Sequence, residues 1–189
     1  MKSGIREIKM ETEIAGIKMK NPVMTASGTF GSGMEYSDLE DLSLLGAVVT
    51  KGVASVPWSG NPSPRICETA SGLLNAIGLQ NPGIDVFLKR DLPFLTGKGT
   101  RIIVNVCGHT EEEYLEVVER LKDTSADLLE INISCPNVKE GGMAFGTSCP
   151  MAASVTKAVR SVYDKTMIVK LSPNVTNIAE IAKAVEDEG

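Results

Sequence analysis

Apolar residues recur along this chain in five short stretches of strand character, separated by longer stretches with helical periodicity. In chain order, the predicted strands are residues 22–27, 47–51, 101–107, a strand within residues 127–137 that ends directly before Cys135, and residues 167–171. In the fourth, apolar Leu129 and Ile131 flank polar Glu130. This alternation has the period of two that is typical of a strand with two different faces. The pattern predicts a sheet whose strands each have a polar and an apolar side.

Each predicted strand is followed by a stretch with an apolar stripe at helical spacing. The predicted helices are residues 37–45, 84–94, 110–121, 147–163 and 177–188. Capping boxes that begin at Ser37 and Thr110 mark the first turn of two of them. In the last helix, the residues expected to face inward are Ile178, Ile181, Ala182 and Val185.

Two connections depart from this alternation. Residues 11–20 form two short runs around Ala15 and Gly16, which predicts a small hairpin ahead of the main fold. Residues 53–83 are irregular and rich in Pro, Gly, Ser and Asn. Because so long a connection is unusual inside a compact domain, we expect it to form a lid or hairpin that builds a site.

Strict alternation of strand and helix indicates an α/β fold with parallel strands and right-handed crossovers. Two architectures fit the pattern: a doubly wound open sheet and a (β/α)₈ barrel. A complete barrel usually needs about 250 residues, whereas this chain has 189. We therefore expect residues 1–189 to form one domain that, in the barrel case, holds about the first five strand–helix units.

Composition narrows the function classes. Hydrophobic content of 42% and charged content of 23% are ordinary for a soluble globular protein, and a net charge of -5 argues against nucleic-acid binding. No apolar run has the roughly 20 residues needed to cross a membrane, and the N-terminus lacks the apolar core of a signal peptide. The four cysteines are widely spaced, which favours reduced thiols, a cytoplasmic location and no metal site.

Polar residues recur at or near the carboxyl ends of the predicted strands. They are Ser27, Lys51, Asn105, Asn132 and Lys170. Because the carboxyl ends of parallel strands meet at one rim, we expect these side chains to converge there. Two lysines at one rim imply an anionic ligand, since buried charges need partners. Cys135 follows the fourth strand directly and is the candidate for chemistry.

Each of these residues also has a plain structural interpretation. Cys135 alone could be an inert buried thiol, and either lysine alone could be solvated or paired with a surface carboxylate. His109 fits an ordinary loop position. The spacing of Gly28, Gly31 and Gly33 is a weak dinucleotide signal. What favours a site is that five strand ends carry polar groups at the same rim.

At these residues the sequence resembles the class 1 dihydroorotate dehydrogenases, flavoenzymes of pyrimidine biosynthesis built on a (β/α)₈ barrel. The matching segments are NPVMTASGTFG (21–31), VTKGV (49–53), NAIGLQNPG (75–83), INISCPN (131–137) and IVKLSPNV (168–175). The stretch NVKEGGMAFGT (137–147) is similar to class 1B, the NAD-linked form. Ser148 and Cys149 depart from the pattern, which has an acidic residue at the start of the helix there.

The resemblance implies FMN as cofactor and oxidation of dihydroorotate to orotate. Cys135 would be the base that removes the C5 proton of the substrate. The substrate would be held by Lys51, Asn75, Ala76, Ile77, Gly78, Leu79 and Asn132. The flavin would be held by Ser27, Lys51, Gly52, Asn105, Asn132 and Lys170.

The resemblance also implies partners. A class 1B enzyme works with an iron–sulfur subunit that carries FAD and a 2Fe-2S cluster, as part of a homodimer or heterotetramer. The sixth to eighth strands of the family would follow Gly189, so this chain is expected to be an inactive fragment. Two alternatives stay open: a flavin domain like that of dihydropyrimidine dehydrogenase, and a non-catalytic half-barrel that self-associates.

Overall fold

The computed structural model describes residues 9–134 and 145–189. Its strands are β1 (Thr12–Ile14), β2 (Ile17–Met19), β3 (Ala47–Val49), β4 (Ile66–Thr69), β5 (Gly72–Asn75), β6 (Arg101–Val106), β7 (Leu128–Asn132) and β8 (Met167–Lys170). Its α-helices are α1 (Gly83–Val86), α2 (Leu92–Leu95), α3 (Glu111–Leu121), α4 (Cys149–Val162) and α5 (Ile178–Glu186). A π-helical segment (Phe87–Asp91) joins α1 to α2, and 3₁₀ turns lie at Leu42–Leu44 and Phe145–Thr147.

The central sheet has four parallel strands in the order β3-β6-β7-β8. Strand order therefore follows chain order, as a barrel built from successive strand–helix units requires. The prediction of a strand at residues 22–27 is wrong: this segment makes only one isolated bridge, Met24 to Ala47. It lies in the expected place beside β3. However, Pro22 has no N–H to donate, and the side chains of Val23 and Met24 are exposed, so little holds a longer ladder.

The predicted helix at residues 37–45 is also wrong. Turns occupy most of the segment, and Asp41 caps a single 3₁₀ turn by accepting a hydrogen bond from the Ser43 N–H. Of the predicted stripe, Leu42 is buried in the core and Leu45 packs against it, but Leu39 is 76% exposed, so only part of the stripe is packed. The other capping box behaves as expected, because Thr110 caps α3 through the Glu113 N–H.

The sheet separates two apolar cores. The larger core lies between the sheet and the helices and includes Leu129 and Ile131. The smaller core lies on the other face and consists of Met19, Ala47, Val49, Ile103 and Leu128, with Ile14, Ile17 and Ile168 packed against it. Residues of the β1–β2 hairpin thus belong to the inner core.

The predicted hairpin closes the amino-terminal end of this inner core. Ala15 and Gly16 have φ of 45° and 89°, the left-handed values that a tight hairpin turn requires. Arg101 Nε donates to Lys18 O at 2.8 Å, and Thr166 Oγ1 donates to Ala15 O at 3.2 Å. These bonds join the hairpin to the start of β6 and to the residue before β8, so the carboxyl ends of the strands are at the opposite end.

The last two helices match their predicted places with one correction. Ser148 caps α4 by accepting from the Met151 N–H at 3.4 Å, so the unusual residues at 148 and 149 still start a helix. In α5, Ile181 is buried and Val185 is half-buried, as expected. Ile178 and Ala182 are exposed, because α5 packs against α4 along one side and the described residues place nothing on the other.

The long connection before α1 contains the antiparallel hairpin β4–β5, in agreement with the expected site-building element.

The two outer strands of the central sheet differ in exposure. β8 is half-exposed along its whole length, whereas β3 is fully buried. Thus β8 is an edge strand within the described residues. Among them, no helix is long and apolar enough to span a bilayer.

Candidate functional site

The polar strand-end residues converge on one cavity of about 190 Å³ at the carboxyl ends of the strands. Its lining is Ser27, Gly28, Lys51, Gly52, Leu79, Asn105, Asn132, Ser134 and Lys170. All six residues predicted to hold the cofactor are in this set. The rim predicted from the sequence pattern is therefore present as a single site.

The floor of the cavity contains two asparagines that are held in fixed orientations. Asn132 Nδ2 donates to Asn105 Oδ1 at 3.2 Å, and Asn105 Nδ2 donates to Glu130 Oε1 at 2.5 Å. The backbone of Asn132 is fixed as well, because the buried Tyr114 hydroxyl donates to its carbonyl at 2.7 Å. Both asparagines are buried, so their amides are set by these partners.

Two lysines bring positive charge to the same cavity. Lys170 Nζ donates to Ser27 Oγ at 3.3 Å, and the Lys51 N–H donates to Gly31 O at 2.8 Å. The second bond ties the loop after Ser27 to the end of β3. Both lysine side chains are half-buried, which makes the cavity suited to an anionic or electron-rich ligand.

Gly52 lines the cavity where the backbone packs closely against neighbouring side chains. A Cβ at this position would lie 3.1 Å from Asn105 Oδ1 and 3.2 Å from Cys107 Sγ, closer than ordinary contact. The absence of a side chain lets the backbone of Gly52 pack against the buried amide of Asn105. A flat, polar-edged ring such as a flavin fits this combination of glycine, amides and lysines.

The predicted substrate loop reaches the cavity only through Leu79. Asn75 and Ala76 are exposed, while Ile77 and Gly78 are half-buried beside Asn61. The cavity does not bring these four together with the strand ends, so their contact with substrate stays a prediction.

Hydrogen bonds from a backbone N–H and a side-chain amide shape this loop. Asn61 N donates to Ile77 O at 3.1 Å, and Asn81 Nδ2 donates to Leu79 O at 2.8 Å. Leu79 has a φ of 52°, a left-handed conformation that is uncommon outside glycine and asparagine. The loop is therefore held in a specific and locally strained shape beside the cavity.

Cys135, the predicted base, lies outside the described residues, as do residues 137–144 of the class 1B stretch. Ser134, directly before Cys135, lines the cavity. Of the other three cysteines, Cys67 is exposed, Cys107 is buried and Cys149 is half-buried. Within the described part of the chain, no three acidic, His or Cys residues form a group that could hold a metal.

Sequence reasoning missed several residues of the site. Gly28 and Ser134 line the cavity, and Glu130 bonds to its floor. The alternation in β7 places Glu130 on the face of Asn132, which was the available signal. His109 lies in a loop as expected, but its ring also packs on Trp58 with centroids 4.0 Å apart. No sequence pattern indicated this contact.

A parallel sheet in chain order, closed at its amino end by a hairpin and polar at its carboxyl end, is part of a (β/α)₈ barrel enzyme fold. A crystal structure described as dihydroorotate dehydrogenase with ferulenol from Eimeria tenella has this fold, with a TM-score of 0.76. The match covers 99% of this chain and 59% of that chain, at 21% sequence identity. The barrel is thus confirmed over the doubly wound alternative.

Sequence comparison places the chain within that fold class. The family profile described as dihydroorotate dehydrogenase matches residues 9–189. Proteins called dihydroorotate dehydrogenase B (NAD(+)), catalytic subunit, are 61% identical over 178 residues in Alkaliphilus metalliredigens and 62% identical over 176 residues in Lachnoclostridium phytofermentans. The chain belongs to the dihydroorotate dehydrogenase family, and the resemblance to the class 1B catalytic subunit is confirmed.

These alignments cover 94% and 93% of this chain, and 59% of each relative. The chain therefore spans about three fifths of the length of the relatives it matches.

Proposed function

We propose that this chain, in a protein of the relatives' full length, oxidises dihydroorotate to orotate with FMN as cofactor in pyrimidine biosynthesis. The observation that carries the proposal is the convergence of all six predicted flavin-binding residues on one cavity. The names of the relatives support the substrate and favour dihydroorotate over a reduced pyrimidine base.

The chemical groups that line the cavity are of the types that would bind FMN. Asn105 and Asn132 would offer amide groups to a polar ring edge, and Gly52 lines the same cavity. Lys170 would lie near the ring, where a positive charge stabilises a reduced, anionic flavin. Lys51 would lie between the flavin and the substrate carboxylate. When bound, FMN would supply the acceptor for the hydride that leaves the substrate.

Cys135 would take the proton from C5 of dihydroorotate. A free cysteine titrates near pH 8.5, so only modest help is needed for it to act as a base at neutral pH. Positive charge nearby favours the thiolate, and two lysines line the cavity whose rim Ser134 shares. Asn132 and residues 75–79 would hold the substrate beside the thiol.

The electron acceptor and the compartment are part of the same proposal. The relatives are called catalytic subunits and NAD(+) enzymes, which supports a partner subunit with FAD and a 2Fe-2S cluster, in a homodimer or heterotetramer. The wide spacing of the four cysteines along the chain supports a reducing, cytoplasmic location.

Replacing the proposed base tests the proposal. In the full-length protein, we expect Cys135→Ala to bind FMN like the unmodified protein while its dihydroorotate oxidation falls at least about 100-fold, because a positioned base contributes on that order. Flavin absorbance measures binding, and orotate formation measures turnover.

Cys67→Ala is the matched control, since it removes an exposed thiol from β4. It should keep both properties. Turnover retained in Cys135→Ala would refute the assignment of the base, and a full-length protein without bound FMN would refute the assignment of the cavity.

A further inference from the structure

We infer that Glu130 is a positioning residue that sets the hydrogen-bond polarity of the cavity floor by fixing the amide of Asn105. The inference rests on the proposed FMN site, because the orientation of the Asn105 amide decides which donors and acceptors this site offers to FMN. It adds a residue that neither lines the cavity nor belongs to the predicted site.

Glu130 lies in the middle of β7, between its two sheet neighbours. Its backbone pairs with Asn105 of β6 on one side and with Ile168 of β8 on the other. Its side chain shares a face with Asn132, two residues further along the strand, which is a rise of roughly 7 Å. Glu130 is thus half-buried on the inner face of the sheet, one layer below the cavity.

Three hydrogen bonds run in one direction from the rim to this carboxylate. Ser134 N donates to Asn132 Oδ1 at 3.2 Å, and Asn132 Nδ2 donates to Asn105 Oδ1 at 3.2 Å. Asn105 Nδ2 then donates to Glu130 Oε1 at 2.5 Å. An ionised carboxylate only accepts hydrogen bonds, so the chain of donors ends at Glu130.

This arrangement excludes the flipped amide of Asn105. A flip would place the amide oxygen against the carboxylate, with two acceptors about as close as the present donor and acceptor. It would also place the amide nitrogen of Asn105 against Asn132 Nδ2, with two donors facing each other. Each clash leaves a buried polar group unpaired, so one charged residue fixes both asparagines.

The fixed orientation determines what the cavity offers a ligand. Asn105 Oδ1 lies 3.1 Å from where a Cβ on Gly52 would be, so an acceptor packs against Gly52 in the cavity lining. With the amide flipped, a donor would face that position instead. A flavin ring carries both N–H and carbonyl groups on its polar edge, so its affinity depends on which one it meets.

The matched pair Glu130→Gln and Glu130→Met tests this role. Glutamine keeps an oxygen that can accept from Asn105 Nδ2, whereas methionine has similar volume and no comparable acceptor. In the full-length protein, we expect FMN affinity within about threefold of the unmodified protein for Glu130→Gln and a loss of about tenfold for Glu130→Met, the size of one hydrogen bond. Fluorescence titration of the apoprotein gives both values.

FMN affinity that is retained in Glu130→Gln would separate the acceptor role of this residue from its charge. A loss in Glu130→Met would separate that role from side-chain volume. Equal FMN affinity in all three proteins would overturn the inference, and so would equal losses in both variants. The flavin absorption bands provide a second readout: they should match the unmodified protein in Glu130→Gln and shift in Glu130→Met, since the polar edge of the ring would meet a different partner.

A cycle on the apoprotein tests the bond without any cofactor. Asn105→Asp alone sets two carboxylates against each other, so we expect the melting temperature to fall by roughly 3–6 °C. Adding Glu130→Gln supplies a donor to that carboxylate and should restore most of the loss. No recovery in the double variant would refute the bond, whereas unmodified protein that fails to bind FMN would refute the proposed function alone.

Discussion

Asn81 does not line the cavity, yet its side chain fixes the backbone of a residue that does. It is buried, and its Nδ2 donates to Leu79 O at 2.8 Å. Its Oδ1 accepts from the N–H groups of Gly83 at 3.0 Å and Ala54 at 3.2 Å. One amide thus joins the left-handed turn at Leu79 to the start of α1 and to the segment after β3.

We expect Asn81→Ala to lower the free energy of unfolding by roughly 2–4 kcal/mol, because two buried N–H groups and one carbonyl lose their partner. The KM for dihydroorotate should rise in the full-length protein, since Leu79 loses the bond that holds its conformation. Urea denaturation and initial rates measure the two effects.

Gln80→Ala is the control for this change, because Gln80 is exposed and accepts a hydrogen bond from Arg65 at the surface. It should cost less than about 1 kcal/mol. If the two variants unfold at the same urea concentration, the structural role of Asn81 is wrong.

Residues at the strand ends could be predicted because two simple rules locate them. Alternation tells which face of the sheet a side chain is on, and the parallel strand direction tells which end of the sheet it is near. Asn105 and Lys170 were predicted at the rim on this basis, and both line the cavity. Asn81 could not be predicted in this way. Its partners include Ala54, a residue 27 positions away, and no local pattern encodes that contact. Glu130 was visible in the alternation, but its bond to Asn105 depends on the register between strands.

At the scale of elements, the start of α4 is packed closely against the end of β7. A Cβ on Gly146 would lie 2.3 Å from Ile133 O, so only glycine allows the 3₁₀ turn to approach that carbonyl. Ser148 then caps the helix. The segment that carries Asn132 and Ser134 is thereby held against α4 from outside the barrel.

We expect Gly146→Ala to destabilise the protein by roughly 1–3 kcal/mol, because the added methyl group must displace the turn or the strand. The dihydroorotate oxidation of the full-length protein should fall as well, since the strand end that moves is part of the cavity. Thermal unfolding and orotate formation measure these changes.

Gly72→Ala is a matched control: no atom lies within 4 Å of a Cβ there, and its backbone is not in the left-handed region. It should stay within about 0.5 kcal/mol of the unmodified protein. Equal stability of the two variants would show that the contact at Ile133 can relax.

Elements were predicted well where burial reinforces local pattern and poorly where it does not. β6 and β7 are buried on both faces and were found with nearly their observed ends. The segments 22–27 and 37–45 have strand and helix patterns, but their apolar residues Val23 and Leu39 stay exposed. Local propensity without a surface to pack against did not produce a regular element there.

For the whole molecule, the sequence pattern left the barrel and the doubly wound sheet equally possible. The distinction comes from long-range packing: the β1–β2 hairpin and inward residues of β3, β6 and β7 form one inner core. A doubly wound sheet has helices on both faces, whereas here the helices contribute only to the outer core. That arrangement depends on tertiary contacts that periodicity cannot supply.

The size of the cavity gives a prediction for the 189-residue chain by itself. Sites for molecules of this size usually enclose about 300–1,000 Å³, whereas this cavity has about 190 Å³. Barrel enzymes also commonly bind phosphate at loops after the seventh and eighth strands, and the described sheet has four strands. We therefore expect the purified chain, folded by circular dichroism, to show no saturable FMN binding in a fluorescence titration, while the full-length protein binds.

Each outcome of that titration has a definite meaning. Absence of binding by a folded chain would indicate that the lysines and amides recognise only part of the flavin and that further contacts supply the remaining affinity. Saturable binding would contradict the prediction, and Lys170→Ala would then test whether the cavity is responsible. If that variant binds equally well, the flavin lies elsewhere; if binding is lost, the strand ends suffice and the cavity must widen around the ring.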